Sequence, residues 1–163
     1  MKLAPALAAG NTVIAKPSEV TPMSAFIFSK ICNDANFPKG VINIIHGYGN
    51  KTGEALTKHP DIPIISFTGG TSTGKKIASS TAPLFKKVSL ELGGKNPNII
   101  FEDSDFDYAV KMATKAAFTN QGQICLCGSR LFIQKSIYSD FRSALIEESK
   151  ALTVGDPKDD KNY

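Results

Sequence analysis

Strand-like runs alternate with helix-like runs along almost all of this 163-residue chain, and the alternation leaves few architectures open. "NTVIAKP" (11–17) reads as a short β-branched strand and "TPMSAFIFSKICNDA" (21–35) as a helix. Thr21 is the expected N-cap, with Pro22 at the first helical position and an apolar stripe through Met23, Phe26, Ile27, Lys30 and Ile31. "GVINIIHG" (40–47) is a continuous apolar run, as a strand buried on both faces would be. A short helix over 50–59, a strand over 63–70 and a helix over 71–81 opened by Thr71 or Ser72 come next, followed by strands over 86–94 and 96–101.

This order predicts the α/β class: a Rossmann-like, mainly parallel sheet with flanking helices. Beyond residue 101 the elements lengthen. A helix is expected over 104–122 with Ser104 as cap, then a strand over 129–136, a helix over 137–152 and the polar tail "TVGDPKDDKNY". A boundary near Gly93–Lys95 is expected, giving domains 1–93 and 94–163. Met1 opens inside a helix-like run and Tyr163 stops in a loop, so an excerpt from a longer protein is expected.

Bulk properties remove several functions. The net charge of +4 comes from scattered Lys and Arg, which reads as a solvated surface and not as nucleic-acid binding. No apolar run approaches the roughly 18 residues that a membrane helix requires. Three cysteines, an odd number, argue for free thiols in a reducing compartment such as the cytoplasm.

Several stretches could carry chemistry. "ISFTGGTSTGKKI" runs a strand into a helix through Gly69, Gly70 and Gly74, which fits either a pyrophosphate cradle or an ordinary turn. "GYGNKTG" (47–53) has three residues, not two, before its last glycine, and reads as a turn more readily than as a dinucleotide fingerprint. Lys16 and Glu19 close a strand; the carboxylate could accept both hydroxyls of a ribose, or the two could be a solvated pair. Glu91 lies between Leu90 and Leu92. Buried there it would have a raised pKa, as a general base near neutrality needs; strict alternation would turn it outward instead.

"NQGQICLCGSR" (120–130) holds Cys125 and Cys127. The chain has two histidines and no second cysteine pair, so no structural zinc site and no other metal is expected. Each thiol is then either a small buried hydrophobe or a nucleophile. The polar, glycine-containing setting of Cys125 suits a nucleophile.

"NTVIAKPSE", "SFTGGTSTG", "LELGGKNPNIIF" and "NQGQICLCGSR" occur in this order and spacing in the NAD(P)-dependent aldehyde dehydrogenases, which the chain resembles over essentially its whole length. It is most similar to the branch that oxidises aminomuconic or hydroxymuconic semialdehyde. The resemblance implies that 1–93 is part of an NAD-binding domain and 94–163 the first part of an α/β catalytic domain. It makes Cys125 the nucleophile and Glu91 the general base. Lys16 and Glu19 would hold the adenine ribose, and Gly69, Gly70 and Gly74 the pyrophosphate. Gly70 departs from the serine common in the family, and Cys127 becomes a packing residue. The implied reaction takes an aldehyde to a carboxylic acid through a thiohemiacetal and a thioester on Cys125. The implied cofactor is NAD, the partner a small-molecule aldehyde, and the complete protein a homo-oligomer.

The family's oxyanion asparagine belongs to a Trp–Asn motif, and this chain has no Trp. A polypeptide of these residues alone is therefore expected to have little aldehyde-oxidising activity. The alternative function is an inactive partial product serving as a cofactor-binding remnant or an interaction module.

Overall fold

The computed structural model describes residues 2–159. The structure is mixed α/β and divides into two compact units, one reaching to Glu91 and the other starting at Leu92.

The first unit opens with helix α1 (Leu3–Ala8), strand β1 (Val13–Ala15), helix α2 (Met23–Asp34) and strand β2 (Ile42–Ile44). β1 and β2 pair in parallel, Val13 opposite Ile42 and Ala15 opposite Ile44, with α2 as the crossover between them. Parallel pairing places the loops that leave β1 and β2 at the same carboxyl edge. A π-helical turn (Gly49–Gly53) leads into helix α3 (Glu54–Lys58). Strand β3 (Ile64–Gly69), helix α4 (Thr71–Thr81) and strand β4 (Lys87–Leu92) complete the unit, and β3 pairs with β4.

In the second unit, strand β5 (Pro97–Ile100), helix α5 (Phe106–Phe118), strand β6 (Arg130–Ile133) and helix α6 (Tyr138–Lys150) form a second parallel crossover. Pro97 stands opposite Arg130 and Ile100 opposite Ile133. The core is Ile100, Val110, Ala113 and the fully buried Phe141, with Phe106, Ala109, Leu131 and Leu145 packed around them. The rings of Phe106 and Phe141 meet edge to face, their centroids 5.6 Å apart. This core forms because α5 and α6 each turn an apolar stripe toward the β5–β6 pair.

The α/β class with parallel strands and flanking helices is as expected; among the described residues the strands form three two-stranded sheets. Several finer expectations need correction. β2 is half-buried throughout and not buried on both faces. Thr21 does not cap α2; Pro22 stands at the cap with helical dihedrals and no side-chain bond. Neither Thr71 nor Ser72 caps α4, because Gly70 takes the cap position in an extended conformation. Asp105, not Ser104, caps α5: its Oδ1 accepts from the Tyr108 N–H at 3.1 Å, while the Ser104 hydroxyl donates to the Phe101 carbonyl. The helix expected through 122 stops at Phe118, because Asn120, Gln121 and Gly122 all have positive φ. The stripe of α2 is largely exposed, and only Cys32 of that helix is buried. Met1 and residues 160–163, where the chain's first helix-like run and polar tail were expected to begin and end, lie outside the described residues.

Candidate functional site

Cys125 lies in the connection from α5 to β6. α5 is closed by consecutive left-handed residues, Asn120 at φ 52° and Gln121 at φ 55°, followed by Gly122 at φ 72°. Left-handed backbone costs a non-glycine residue roughly 1–2 kcal/mol, so this exit is a strained corner of the kind found at functional loops. The chain then makes a β-turn, in which the Cys127 N–H donates to the Ile124 carbonyl at 3.0 Å, with Cys125 and Leu126 at its centre. Cys125 is exposed, whereas Cys127 and Cys32 are buried. The Cys125 N–H donates to no protein acceptor among the described residues.

The turn is fastened to the start of β5. Asn96 Nδ2 donates to the Cys125 carbonyl at 2.6 Å and to the Cys127 carbonyl at 3.2 Å. Sequence reasoning missed Asn96. Its contacts span 29 and 31 residues, and "KNPN" announces nothing beyond a strand start.

Lys16 and Glu19 form a real pair, Nζ to Oε2 3.6 Å. Lys16 Nζ also donates to the Pro17 carbonyl at 2.6 Å and to the Gly47 carbonyl at 3.1 Å. The Glu19 carboxyl is held below the ordinary carboxylate range, chiefly by its own backbone N–H and further by the Lys16 charge and the Gly49 N–H. "GYGNKTG" is therefore a π-helical turn that partners Lys16 and Glu19 at the shared carboxyl edge of β1 and β2. Gly47 has φ 146°, and a Cβ there would lie 2.0 Å from Thr52 Oγ1, so no other residue fits.

Gly69 ends β3, where an added Cβ would meet the Phe67 ring at 2.5 Å. Gly70, where an added Cβ would meet only Ser72 Oγ at 4.0 Å, caps α4, and Gly74 is buried in its first turns. The N–H groups at the start of α4 are thus bare of side chains at the cap, and they lie just past a strand end. A cationic and an anionic side chain thus stand at one strand end, and a glycine-opened helix start at another.

Glu91 lies on β4 with Leu90 and Leu92 half-buried on the opposite face, and it is exposed. Alternation thus sets its direction, turning it outward. Glu91 belongs to the first unit and Cys125 to the second. Among the described residues, no cluster of three or more His, Cys, Asp or Glu is placed to hold a metal, and no helix is long and apolar enough to cross a membrane.

Comparison with known proteins gives one answer. The model of the aldehyde dehydrogenase family matches residues 1–163. The human 2-aminomuconic semialdehyde dehydrogenase is 52% identical over 158 residues, covering 97% of this chain and 32% of the relative. Human retinal dehydrogenase 2 is 50% identical over 159 residues, covering 97% of this chain and 31% of the relative. Among solved structures, PnpE from Pseudomonas sp. WBC-3 superposes with a TM-score of 0.94 at 45% identity, over 99% of this chain and 33% of its own. PnpE has also been solved in complex with nicotinamide adenine dinucleotide. Betaine aldehyde dehydrogenase from Staphylococcus aureus in complex with NAD+ superposes with a TM-score of 0.94 at 42% identity, over 99% of this chain and 32% of its own. The chain spans about a third of the length of these relatives.

Proposed function

Because the chain belongs to the aldehyde dehydrogenase family, we propose that it supplies the nucleophile and part of the dinucleotide site for NAD-dependent oxidation of an aldehyde to a carboxylic acid. The observation that carries this is the contrast among its thiols: Cys125 stands exposed on a fastened turn while Cys32 and Cys127 are buried. NAD, when bound, supplies the hydride acceptor.

The first unit is the NAD-binding part. Glu19, steered by Lys16, accepts the hydroxyls of the adenine ribose, and the α4 start with Gly69, Gly70 and Gly74 receives the pyrophosphate. In the second unit the Cys125 thiolate adds to the aldehyde carbon. The Cys125 N–H, which donates to no protein acceptor among the described residues, donates to the resulting oxyanion. One such donor is worth roughly 3–4 kcal/mol at the transition state. After oxidation the acyl group remains on Cys125 as a thioester. Glu91, assigned by its place in "LELGGKNP", takes a proton from the water that releases the acid. The substrate class proposed is a semialdehyde, a reading supported by the names of the relatives at 52% identity. A reducing compartment such as the cytoplasm suits a protein whose three cysteines are free thiols.

The test follows NADH formation with a panel of semialdehydes and simple aldehydes, using the full-length native protein and its Cys125→Ala variant. Turnover is expected in the former and absent in the latter. Equal turnover in both would remove Cys125 from the chemistry.

A further inference from the structure

We propose that Asn96 is a positioning residue for Cys125, a proposal that rests on the reading of Cys125 as nucleophile. The carboxamide of Asn96 has two N–H donors. One is directed at the Cys125 carbonyl at 2.6 Å and the other at the Cys127 carbonyl at 3.2 Å. Both donors are therefore committed to main-chain oxygens, and neither is left for a substrate oxygen. Asn96 acts on the reaction only through the backbone it holds.

That backbone is the β-turn on which Cys125 sits. Fixing the Cys125 carbonyl fixes the peptide plane that follows the nucleophile, and fixing the Cys127 carbonyl closes the other side of the turn. The internal bond from the Cys127 N–H to the Ile124 carbonyl completes the brace. Left to itself, a turn entered through the strained Asn120–Gln121–Gly122 corner would sample other conformations.

Asn96 is itself rigid, which a clamp requires. Pro97 follows it and restricts it to extended backbone. Its carbonyl accepts from the Arg130 N–H at 3.2 Å, one step beyond the Pro97–Arg130 register pair. The Arg130 side chain donates through Nε to the neighbouring Lys95 carbonyl at 2.9 Å. The brace thus runs from the β5–β6 ladder through one side chain to the thiol-bearing turn.

Two variants separate donation from shape. Asn96→Ala removes the carboxamide. Asn96→Asp keeps its size but has no donor at neutral pH, and it sets a carboxylate against two carbonyl oxygens. Both should lower kcat for aldehyde oxidation about ten- to a hundredfold, the scale of a 1 Å misplacement. KM for NAD should hold, and iodoacetamide, which makes no demand on orientation, should still label Cys125. A Cys125→Ala control that retained turnover would defeat the nucleophile reading and leave the clamp without an object. If that control is dead, wild-type kcat in Asn96→Asp overturns the clamp. So does a loss of kcat that tracks a loss of folded circular dichroism, or one matched by a rise in KM for NAD, since each makes Asn96 a residue of the fold.

Discussion

Cys125 and Cys127 are one residue removed from adjacency and have opposite surroundings. The turn closes through Cys127, whose side chain is 7% exposed, while Cys125 at its centre faces outward. Limiting iodoacetamide near neutral pH is therefore expected to label Cys125 ahead of Cys32 and Cys127, as read by peptide mapping. Preferential labelling of Cys32 or Cys127 would contradict the assignment. Glu19 carries a second prediction at this scale. Its carboxyl, lowered first by its own backbone N–H and then by Lys16 and the Gly49 N–H, stays ionised at neutral pH. Its depressed pKa gives an interaction present above the unfolded carboxylate pKa and lost as pH falls through the folded value. A negative charge at the ribose repels a 2′-phosphate, so NAD should be preferred over NADP, and Glu19→Gln should narrow the ratio of kcat/KM. An unchanged ratio would take the ribose from Glu19. The sequence singled out both residues, because strand-end charges and polar thiol settings are local features; the structure adds that Cys125 is exposed and that Glu19 pairs with Lys16. Asn96 was not, since what marks it is a pair of partners 29 and 31 residues away.

Among the elements, the alternation of strands and helices was read correctly because period and punctuation are local. The helix over 71–81 matches α4 residue for residue. What failed were the caps and the exits, where neighbouring residues compete for one role. Ser104 and Asp105 both suit an N-cap; Asp105, in extended backbone, turns its oxygen onto the Tyr108 N–H, while the Ser104 hydroxyl donates to the Phe101 carbonyl. Asp105→Ala should therefore cost about 1 kcal/mol, whereas Ser104→Ala should cost less. The end of α5 was set by left-handed backbone at Asn120 and Gln121, for which neither residue type is a reliable sign. Packing of α5 on α6 has a sharper test. Phe141 is 0% exposed and meets Phe106 edge to face. Phe141→Ala should cost about 3–5 kcal/mol, read from the midpoint of urea unfolding at constant slope. A loss below about 1 kcal/mol, the scale of an ordinary surface or average substitution, would show that this core does not hold the second unit together.

For the whole molecule, the informative quantity is apolar surface left in water. α2 turns Met23, Phe26, Ile27 and Ile31 outward, with Ile27 53% and Ile31 56% exposed, and Val20 just before the helix is 84% exposed. Sequence periodicity identified this stripe but not its exposure, because a stripe reads the same whether or not anything covers it. Among the described residues, each two-stranded sheet also leaves its outer edges unpaired. Contiguous apolar faces and open strand edges both favour association between molecules. A net charge of +4 over 163 residues gives little electrostatic repulsion to oppose it. A polypeptide of these 163 residues is therefore expected to self-associate, eluting above its monomer mass in size-exclusion chromatography with light scattering. Placing like charges in the stripe, with Ile27→Glu and Ile31→Glu together, should shift the population toward monomer while far-UV circular dichroism is retained. Both residues are already more than half exposed, so the exchange removes little buried surface from the fold. If the unmodified polypeptide runs as a monomer, or if the double variant leaves the association unchanged, the α2 face is not what drives it.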